Sequence, residues 1–502
     1  MASAQPATSP TLKVGVSDFG PIVRGKVSLR PLTVFVGPNN SGKSYLAMLL
    51  YTLWHSFSPR PVYATLGSRA AIRRFRLAET FWLPLASRDR AELLQALKDW
   101  LQELTPSAAR SRVALDTLPV QLRQAIERAI RSSAKQTTSN VESELRRCFG
   151  TEISSLARVG AKTQSFRVSV HGIQPAWRLQ FRALKDAINS TLSVPDIGKI
   201  LIQPDLPSFL VGESPRLHLD WEGILPELMA QLAFNASNAL YRPLLTDTYY
   251  FPAARSGILQ SHRAVAAFVV SRSPLVGIEE PVDIPRFTGV VTDFLSALLM
   301  MERENDRPLA KVASFLEENV TGGFITMEVG KLEYPEIYYE PLAGGRFPLR
   351  STSSMVSELA PVVLFLKYII DPEDFLIIEE PESHLHPDNQ RRLARGLVKL
   401  VRSGVRVLIT THSDFFLSQL TNFIHLSLLS PEGRAAHGYD PGDYLDAQDI
   451  GAYLFECVPE QGGSFIKRLN ITSREGIPQE ELSKVSQALY QESVRLEREV
   501  LK

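Results

Sequence analysis

Gly37-Pro38-Asn39-Asn40-Ser41-Gly42-Lys43-Ser44 is the stretch from which the rest of the chain is read. It fits GxxxxGK[ST]. It follows an apolar run, Leu32 to Val36, that predicts a strand, and it leads into Lys43 to Trp54, which predicts a helix. Strand, glycine-rich turn and helix in that order make a phosphate cradle. The glycines let successive backbone N–H groups converge on phosphate oxygens, and the helix N-terminus adds positive potential at the same point. Lys43 is expected to reach the β- and γ-phosphates of ATP and Ser44 to ligate Mg2+, with Gly37, Asn40, Ser41 and Gly42 as the other nucleotide-binding positions.

Two further strand ends fit that cradle. Phe375-Leu376-Ile377-Ile378-Glu379-Glu380-Pro381-Glu382 predicts a buried strand over Phe375 to Ile378 that ends in three carboxylates, the form of a Walker B strand. A parallel strand would deliver Glu379 to Mg2+ and Glu380 to the attacking water at its C-terminal edge. Val407-Leu408-Ile409-Thr410-Thr411-His412-Ser413 is a second apolar run, with a strand predicted over Val405 to Thr410 and His412 placed to hydrogen-bond the γ-phosphate. Taken alone, the acidic run also reads as a solvated turn and His412 as a structural histidine. Their separation by one predicted helix, Asp388 to Val401, joins them to the P-loop as one site.

The rest of the chain frames an α/β core with an insertion. Lys13 to Val16, Thr248 to Phe251, Phe324 to Val329 and Glu336 to Glu340 predict strands, and Met355 to Ile369 and Asp414 to Leu420 predict helices. Between them, Asp89 to Leu104, Pro119 to Ile130 and Ile224 to Leu240 are helical in pattern and rich in Leu, Ala and Arg. At 502 residues, 44% hydrophobic and 22% charged, the chain excludes a disordered, collagenous or disulfide-scaffold protein. Its two cysteines, Cys148 and Cys457, fit a reducing compartment. The apolar stretches Leu46 to Trp54 and Leu359 to Ile370 are too short or too interrupted to cross a bilayer, and residues 1 to 12 lack the pattern of a signal peptide; no membrane partner and a cytoplasmic location are expected. The net charge of +1 hides an asymmetry: 23 Lys plus Arg against 12 Asp plus Glu between residues 56 and 200 give +11 there and leave −10 elsewhere.

These motifs together resemble the ATPase head shared by ABC-type and SMC-like proteins, and within them the prokaryotic branch that is similar to RecF and the overcoming-lysogenisation-defect (OLD) ATPases. The resemblance rests on Asp18-Phe19-Gly20-Pro21-Ile22 ahead of the P-loop strand, on Ile377-Ile378-Glu379-Glu380-Pro381-Glu382-Ser383-His384-Leu385-His386-Pro387 and on Thr410-Thr411-His412-Ser413-Asp414. It covers the first 55 residues and roughly 245 to 420. It implies an ABC-type P-loop ATPase head with a largely helical insertion: 1–58 and 245–425 as the two parts of the head, 59–244 as the insertion and 426–502 as a C-terminal extension. It further implies that Ser44 and Glu379 hold Mg2+, that Glu380 polarises the hydrolytic water, that His412 contacts the γ-phosphate, and that two heads close over two ATP molecules as a homodimer or higher oligomer. Glu379 departs from the aspartate usual in ABC ATPases. The candidate signature segment, Ser351-Thr352-Ser353-Ser354-Met355-Val356-Ser357-Glu358, carries Met355 where glycine is usual, so Ser353 and Ser354 remain as its hydrogen-bond donors. In Tyr250-Phe251-Pro252-Ala253-Ala254-Arg255-Ser256-Gly257, Arg255 is open between contact with the nucleotide or a partner subunit and a surface ion pair, and Gln260 is a candidate Mg2+-sensing glutamine.

The acidic stretch Asp440, Asp443, Asp446 and Asp449 reads as a loop and not as the nuclease site that OLD-type nucleases carry, and Leu482 to Leu501 predicts an amphipathic helix docked on the head. The insertion lacks a heptad repeat and predicts a compact helical lobe. Arg69, Arg73, Arg74 and Arg76 near Phe75, Phe81 and Trp82, and Arg123, Arg128 and Arg131, are candidates for DNA or RNA phosphate contacts or, equally, solvated helix faces. The expected function is ATP hydrolysis whose dimerisation controls nucleic-acid binding or a partner effector protein, in antiphage defence or DNA repair. The alternatives are the ATP-hydrolysing subunit of a membrane transporter and a non-hydrolysing, nucleotide-gated scaffold.

Overall fold

Five parallel strands carry the motifs. In spatial order they are Ile450–Val458, Leu32–Val36, Arg406–Thr411, Phe375–Glu379 and Thr248–Phe251. Leu32–Val36, Phe375–Glu379 and Thr248–Phe251 are buried at every position. That is why they read as continuous apolar runs and not as alternating ones: both faces of a parallel sheet are covered. Successive side chains go to opposite sides. Leu376, Ile378, Val407 and Ile409 join a core formed with helices Ser354–Tyr368, Pro387–Arg402 and Asp414–Leu426. Phe375, Ile377 and Leu408 join a second core formed with the P-loop helix, Lys43–Phe57, and the insertion.

The register sets the strand ends level. Thr411 pairs with Val36, Thr410 with Glu379, and Ile378 with Phe251. The segments that begin at Gly37, Glu380, Pro252 and His412 therefore leave the same carboxyl edge side by side, where open α/β sheets place their ligands.

The computed structural model describes residues 12–57, 87–104, 111–161, 165–172, 176–204, 221–260, 287–301, 307–329 and 335–500. The five strands belong to an eleven-stranded sheet that continues from Ile450–Val458 through Gly463–Arg468, Ile22–Ser28 and Lys13–Phe19 to Ser165–Gly172, Trp177–Leu184 and Ala187–Ser193. A separate antiparallel sheet comprises Gly323–Val329, Pro335–Pro341 and Phe347–Pro348.

Two expectations need correction. Most of the described insertion is helical, in Ser87–Glu103, Val120–Phe149 and Trp221–Tyr241. It is not a helical lobe set apart, however, because Ser165–Gly172 pairs with Lys13–Phe19 and starts an antiparallel wing of the head sheet. Trp177–Leu184 shows why: Trp177, Leu179, Phe181 and Ala183 are buried while Arg178, Gln180 and Arg182 are exposed, a period of two among arginines. Among the described side chains of the C-terminal helix, Glu480–Val500, which are those of 488–500, no apolar face is covered: Leu489, Tyr490, Leu496 and Val500 are exposed, among Glu492, Arg495 and Arg498. Residues 426–502 also supply two strands of the head sheet, one of them beside the P-loop strand. Among the described residues no helix is long and apolar enough to cross a membrane.

Candidate nucleotide site

The loop after Leu32–Val36 turns because two glycines take conformations that other residues resist. Gly37 has φ 144°, and a Cβ there would lie 2.6 Å from the Phe455 carbonyl oxygen on the neighbouring strand; Gly42 has φ 97°. Asn40 also adopts the left-handed region, at φ 60°. Lys43 opens the helix, is 6% exposed, and its Nζ donates to the carbonyl oxygens of Gly37 (2.9 Å) and Pro38 (2.8 Å). Burial lowers its pKa to about 8, against the opposing pull of Glu380, Cys457, Glu379 and Glu382. The charges of all three carboxylates expected from sequence are thus felt at the P-loop lysine. Ser41 is fully buried and its Oγ has no hydrogen-bond partner among the described residues, whereas Ser44 is exposed at the helix start.

Glu379 and Glu380 part company at the end of their strand. Glu379 is buried and accepts from the Ala253 N–H through Oε2 (3.3 Å), and its Oε1 has only the buried Tyr250 hydroxyl near it. Beside it, burial and then the Glu379 charge hold the Tyr250 hydroxyl pKa well above its ordinary value. The backbone of Glu380 enters the left-handed region at φ 42°, where a non-glycine residue costs about 1 kcal/mol. Its N–H donates to the Thr410 carbonyl (3.0 Å), tying the turn to the next strand. Its carboxylate lies between His412 Nε2, 3.4 Å from Oε1, and the Ser383 hydroxyl, which donates to Oε2 at 3.2 Å. Hydrogen bonding to His412 holds the Glu380 pKa below the usual carboxylate range, against partial burial. Glu380 is therefore ionised at neutral pH and half open to solvent, as a water-orienting base must be.

Arg255 is not a surface residue. It is fully buried, with Nε 3.0 Å from Glu358 Oε2, and Nη1 donates to the carbonyl oxygens of Pro252 (3.0 Å) and Glu379 (2.8 Å). Burial lowers its pKa against the pull of Glu358. Ser353 caps the helix Ser354–Tyr368, its Oγ accepting from the Val356 N–H at 3.4 Å, and Ser354 is exposed in the first turn. Met355 packs half-buried, its sulfur 3.1 Å from Asn389 Nδ2. Glu358, one turn further, links this helix to the end of the acidic strand through Arg255. Gln260 is exposed at the last described residue before 261–286, and Arg69, Arg73, Arg74, Arg76, Phe75, Phe81 and Trp82 lie outside the described residues. Arg123, Arg128 and Arg131 share the helix Val120–Phe149. Asp443 belongs to a structural cluster: it is fully buried, 2.6 Å from Arg395 Nη2 and 3.0 Å from Lys399 Nζ.

A family model described as an AAA ATPase domain matches residues 283–417, the span that holds both the acidic and the histidine strands. That part of the chain is similar to an ATPase domain, and the sheet register sets the P-loop strand, Leu32–Val36, beside its histidine strand. Three solved structures align over most of this chain. The SMC head bound to the C-winged helix domain of ScpA is 12% identical and covers 92% of this chain and 98% of its own, at a TM-score of 0.38. An SMC head with an extended coiled coil, bound to the C-terminal domain of ScpA derived from Pyrococcus furiosus, is 11% identical and covers 98% of this chain and 100% of its own, at 0.37. The SMC head domain from Thermotoga maritima is 12% identical and covers 92% of this chain and 99% of its own, at 0.35. At these TM-scores the three add nothing to the strand order and the loop geometry. No curated protein matches.

The polar groups of the candidate site fit a Mg2+-nucleotide. Among the described residues Ser41 Oγ is a buried polar atom with no hydrogen-bond partner, which folded chains rarely leave without a ligand or water to meet it, and Glu379 beside it is a buried carboxylate whose Oε1 has only the buried Tyr250 hydroxyl near it. Among the described residues no three His, Cys, Asp or Glu side chains gather into a cage, and Mg2+ characteristically takes only one or two protein oxygens beside phosphate. Sequence reading gave no role to Glu382 or Glu358. Their signal was present, in the third carboxylate of the acidic run and in an acid one turn into the serine-capped helix, but nothing in the sequence said which would be buried.

Proposed function

We propose that this chain hydrolyses ATP at the carboxyl edge of its parallel sheet, and that closure of two heads over two nucleotides controls a partner effector or a nucleic acid, in antiphage defence or DNA repair. The observation that carries the reading is the Glu380 carboxylate, ionised between His412 and Ser383 just past the strand that ends in Glu379, with the P-loop lysine close enough to feel its charge. In this reading the backbone N–H groups of 37–44 and the Lys43 ammonium hold the phosphates, and Ser41 Oγ gains its missing partner. Ser44 and Glu379 would hold Mg2+, which supplies charge neutralisation at the phosphates. Glu380 orients a water and accepts its proton, and His412 donates toward the γ-phosphate. Ser353 and Ser354, at the exposed start of their helix, serve the nucleotide of the opposite head.

Lys43→Ala is expected to weaken ATP binding by about a hundredfold, the cost of losing a charge-assisted contact in a desolvated site. Isothermal titration with ATP and Mg2+ measures it. Light scattering of the Glu380→Gln protein tests the dimer: ATP should double the mass, and Ser354→Arg should prevent the doubling. The same mass with and without ATP would remove the head-to-head reading.

A further inference from the structure

Glu382 lies two residues beyond the carboxylate proposed to activate water, and none of the roles assigned above uses it. It is 8% exposed. Its Oε1 accepts two hydrogen bonds from the end of the neighbouring strand, one from the His412 backbone N–H at 3.0 Å and one from the Thr411 hydroxyl. Thr411 Oγ1 in turn accepts from the Ser413 N–H at 3.0 Å. The link is doubled on the far side: the Ser413 hydroxyl donates to Gln390 Oε1 (2.6 Å), and Gln390 Nε2 donates to the Leu385 carbonyl (3.0 Å). The turn after the acidic strand and the turn after the histidine strand are thereby stitched together at two points. The His412 ring projects from the stitched segment to within 3.4 Å of Glu380 Oε1.

We propose that Glu382 is a positioning residue that fixes the histidine switch: its carboxylate holds the main chain of Thr411–His412 so that the imidazole faces Glu380. The inference deepens the ATPase reading and rests on it. The geometry gives the reason for a glutamate. The side chain must reach from its own turn to the next strand and present one oxygen to two donors at once. Asparagine and aspartate are one methylene short. Alanine leaves a partly buried N–H without this acceptor, and an amide displaced in search of water carries the ring with it. Glutamine has both the reach and the oxygen, since Oε1 only accepts. Burial raises the Glu382 pKa, so a neutral side chain there is no hardship to the fold.

Length against charge is therefore the deciding contrast. Steady-state ATP hydrolysis and ATP affinity are measured for the full chain as wild type, Glu382→Gln, Glu382→Asp, Glu382→Ala, His412→Ala and the double variant Glu382→Asp/His412→Ala, with thermal melts as the check on folding. Glu382→Asp and Glu382→Ala should lower kcat about tenfold with KM and ATP affinity unchanged, the low end of what a contact that orients an active-site group is worth. Glu382→Gln should stay within about threefold of wild type in kcat, the rescue that reach alone predicts. In the His412→Ala background the Glu382→Asp change should cost nothing further, because the group it positions is gone. An active Asp variant beside an inactive Gln variant would overturn the proposal, as would a loss in KM and not kcat, or an Asp effect that adds in full to His412→Ala. Should the Ala variant fail to fold, the Gln and Asp pair decides alone. A wild type that binds ATP and never turns it over sinks the ATPase reading instead. In that case the orientation is read directly from the imidazole signals of histidine-labelled protein, which Glu382→Asp should shift at His412 and Glu382→Gln should leave in place; unmoved His412 signals in the Asp variant would overturn it.

Discussion

The nucleotide corner and the joint between the P-loop helix and the insertion both bury charge, and the joint meets most of it with partners where the corner leaves more unmet. At the corner, Ser41 Oγ is buried without a hydrogen-bond partner among the described residues, and Glu379 Oε1 has only the buried Tyr250 hydroxyl near it. At the joint, Arg147 from the long insertion helix donates to Asp293 at 2.9 and 2.6 Å and to Glu144 at 2.9 and 2.7 Å. Tyr51 of the P-loop helix donates to Asp293 at 2.6 Å, and His55 Nδ1 is 3.0 Å from Glu144. Unmet polar atoms are a standing cost that a ligand can remove, whereas met ones are structure. The comparison teaches where a bound nucleotide would add most and where the insertion is fastened to the head.

Breaking the joint should have the largest effect on the fold. Asp293→Ala strips the acceptor from both Arg147 and Tyr51 and leaves a half-buried guanidinium short of a partner, at a cost of about 2 kcal/mol in chemical denaturation. The joint is also pH-dependent through Glu144. Burial pushes its pKa up, but the hydrogen bonds from His55 and Arg147 outweigh burial and bring it to about 2. A carboxyl with a depressed folded pKa contributes stability that is complete above its ordinary value of 4.5 and is lost as pH falls toward about 2. Glu144→Gln should flatten that acid limb, and a limb of unchanged slope would place the lost stability elsewhere.

The next effect sharpens the corner. With Lys43 at about 8 in the free protein and phosphates expected to raise it, ATP affinity should be steady below pH 8 and fall by up to about tenfold per unit above it. Calorimetry at pH 9 in buffers of different ionisation enthalpy should then report proton uptake on binding. No uptake would mean that Lys43 is already charged at pH 9 in the free protein or is not the phosphate contact. The smallest effect separates the two regions most cleanly. Ser41→Ala removes a hydroxyl that has no partner among the described residues, so stability should hold within about 0.5 kcal/mol while ATP affinity falls about fivefold, the worth of one neutral hydrogen bond.

The parts of the fold that were legible in the sequence are the parts where one physical pattern acts alone. Leu32–Val36, Phe375–Glu379 and Thr248–Phe251 are covered on both faces and announce themselves as apolar runs. The strands Ile22–Ser28 and Gly463–Arg468 carry Arg24, Gly25 and Lys26 or Gly463, Lys467 and Arg468, so their partial burial leaves no such run. The wing of Ser165–Ser193 alternated among arginines and was masked by the helical composition around it. In the site, Lys43, Glu379, Glu380 and His412 were legible because a motif places each at a strand end or a helix start. Arg255 was not: an arginine after a strand is usually solvated, and only the register that brings Phe251 level with Ile378 puts it beneath the acidic turn. Glu382 was visible as a carboxylate but its partners come from a strand some thirty residues away, which spacing alone does not pair.

The central claim is that Glu380 activates water for ATP cleavage at this corner. Phosphate release should be measured with ATP and Mg2+ for the wild type and for Glu380→Gln, alongside ATP affinity for both. The amide keeps the shape and the neighbours of the carboxylate but cannot take a proton, so the account predicts turnover in the wild type, a loss of at least about a hundredfold in the variant, and ATP affinity that does not fall. Hydrolysis by Glu380→Gln at the wild-type rate would contradict it.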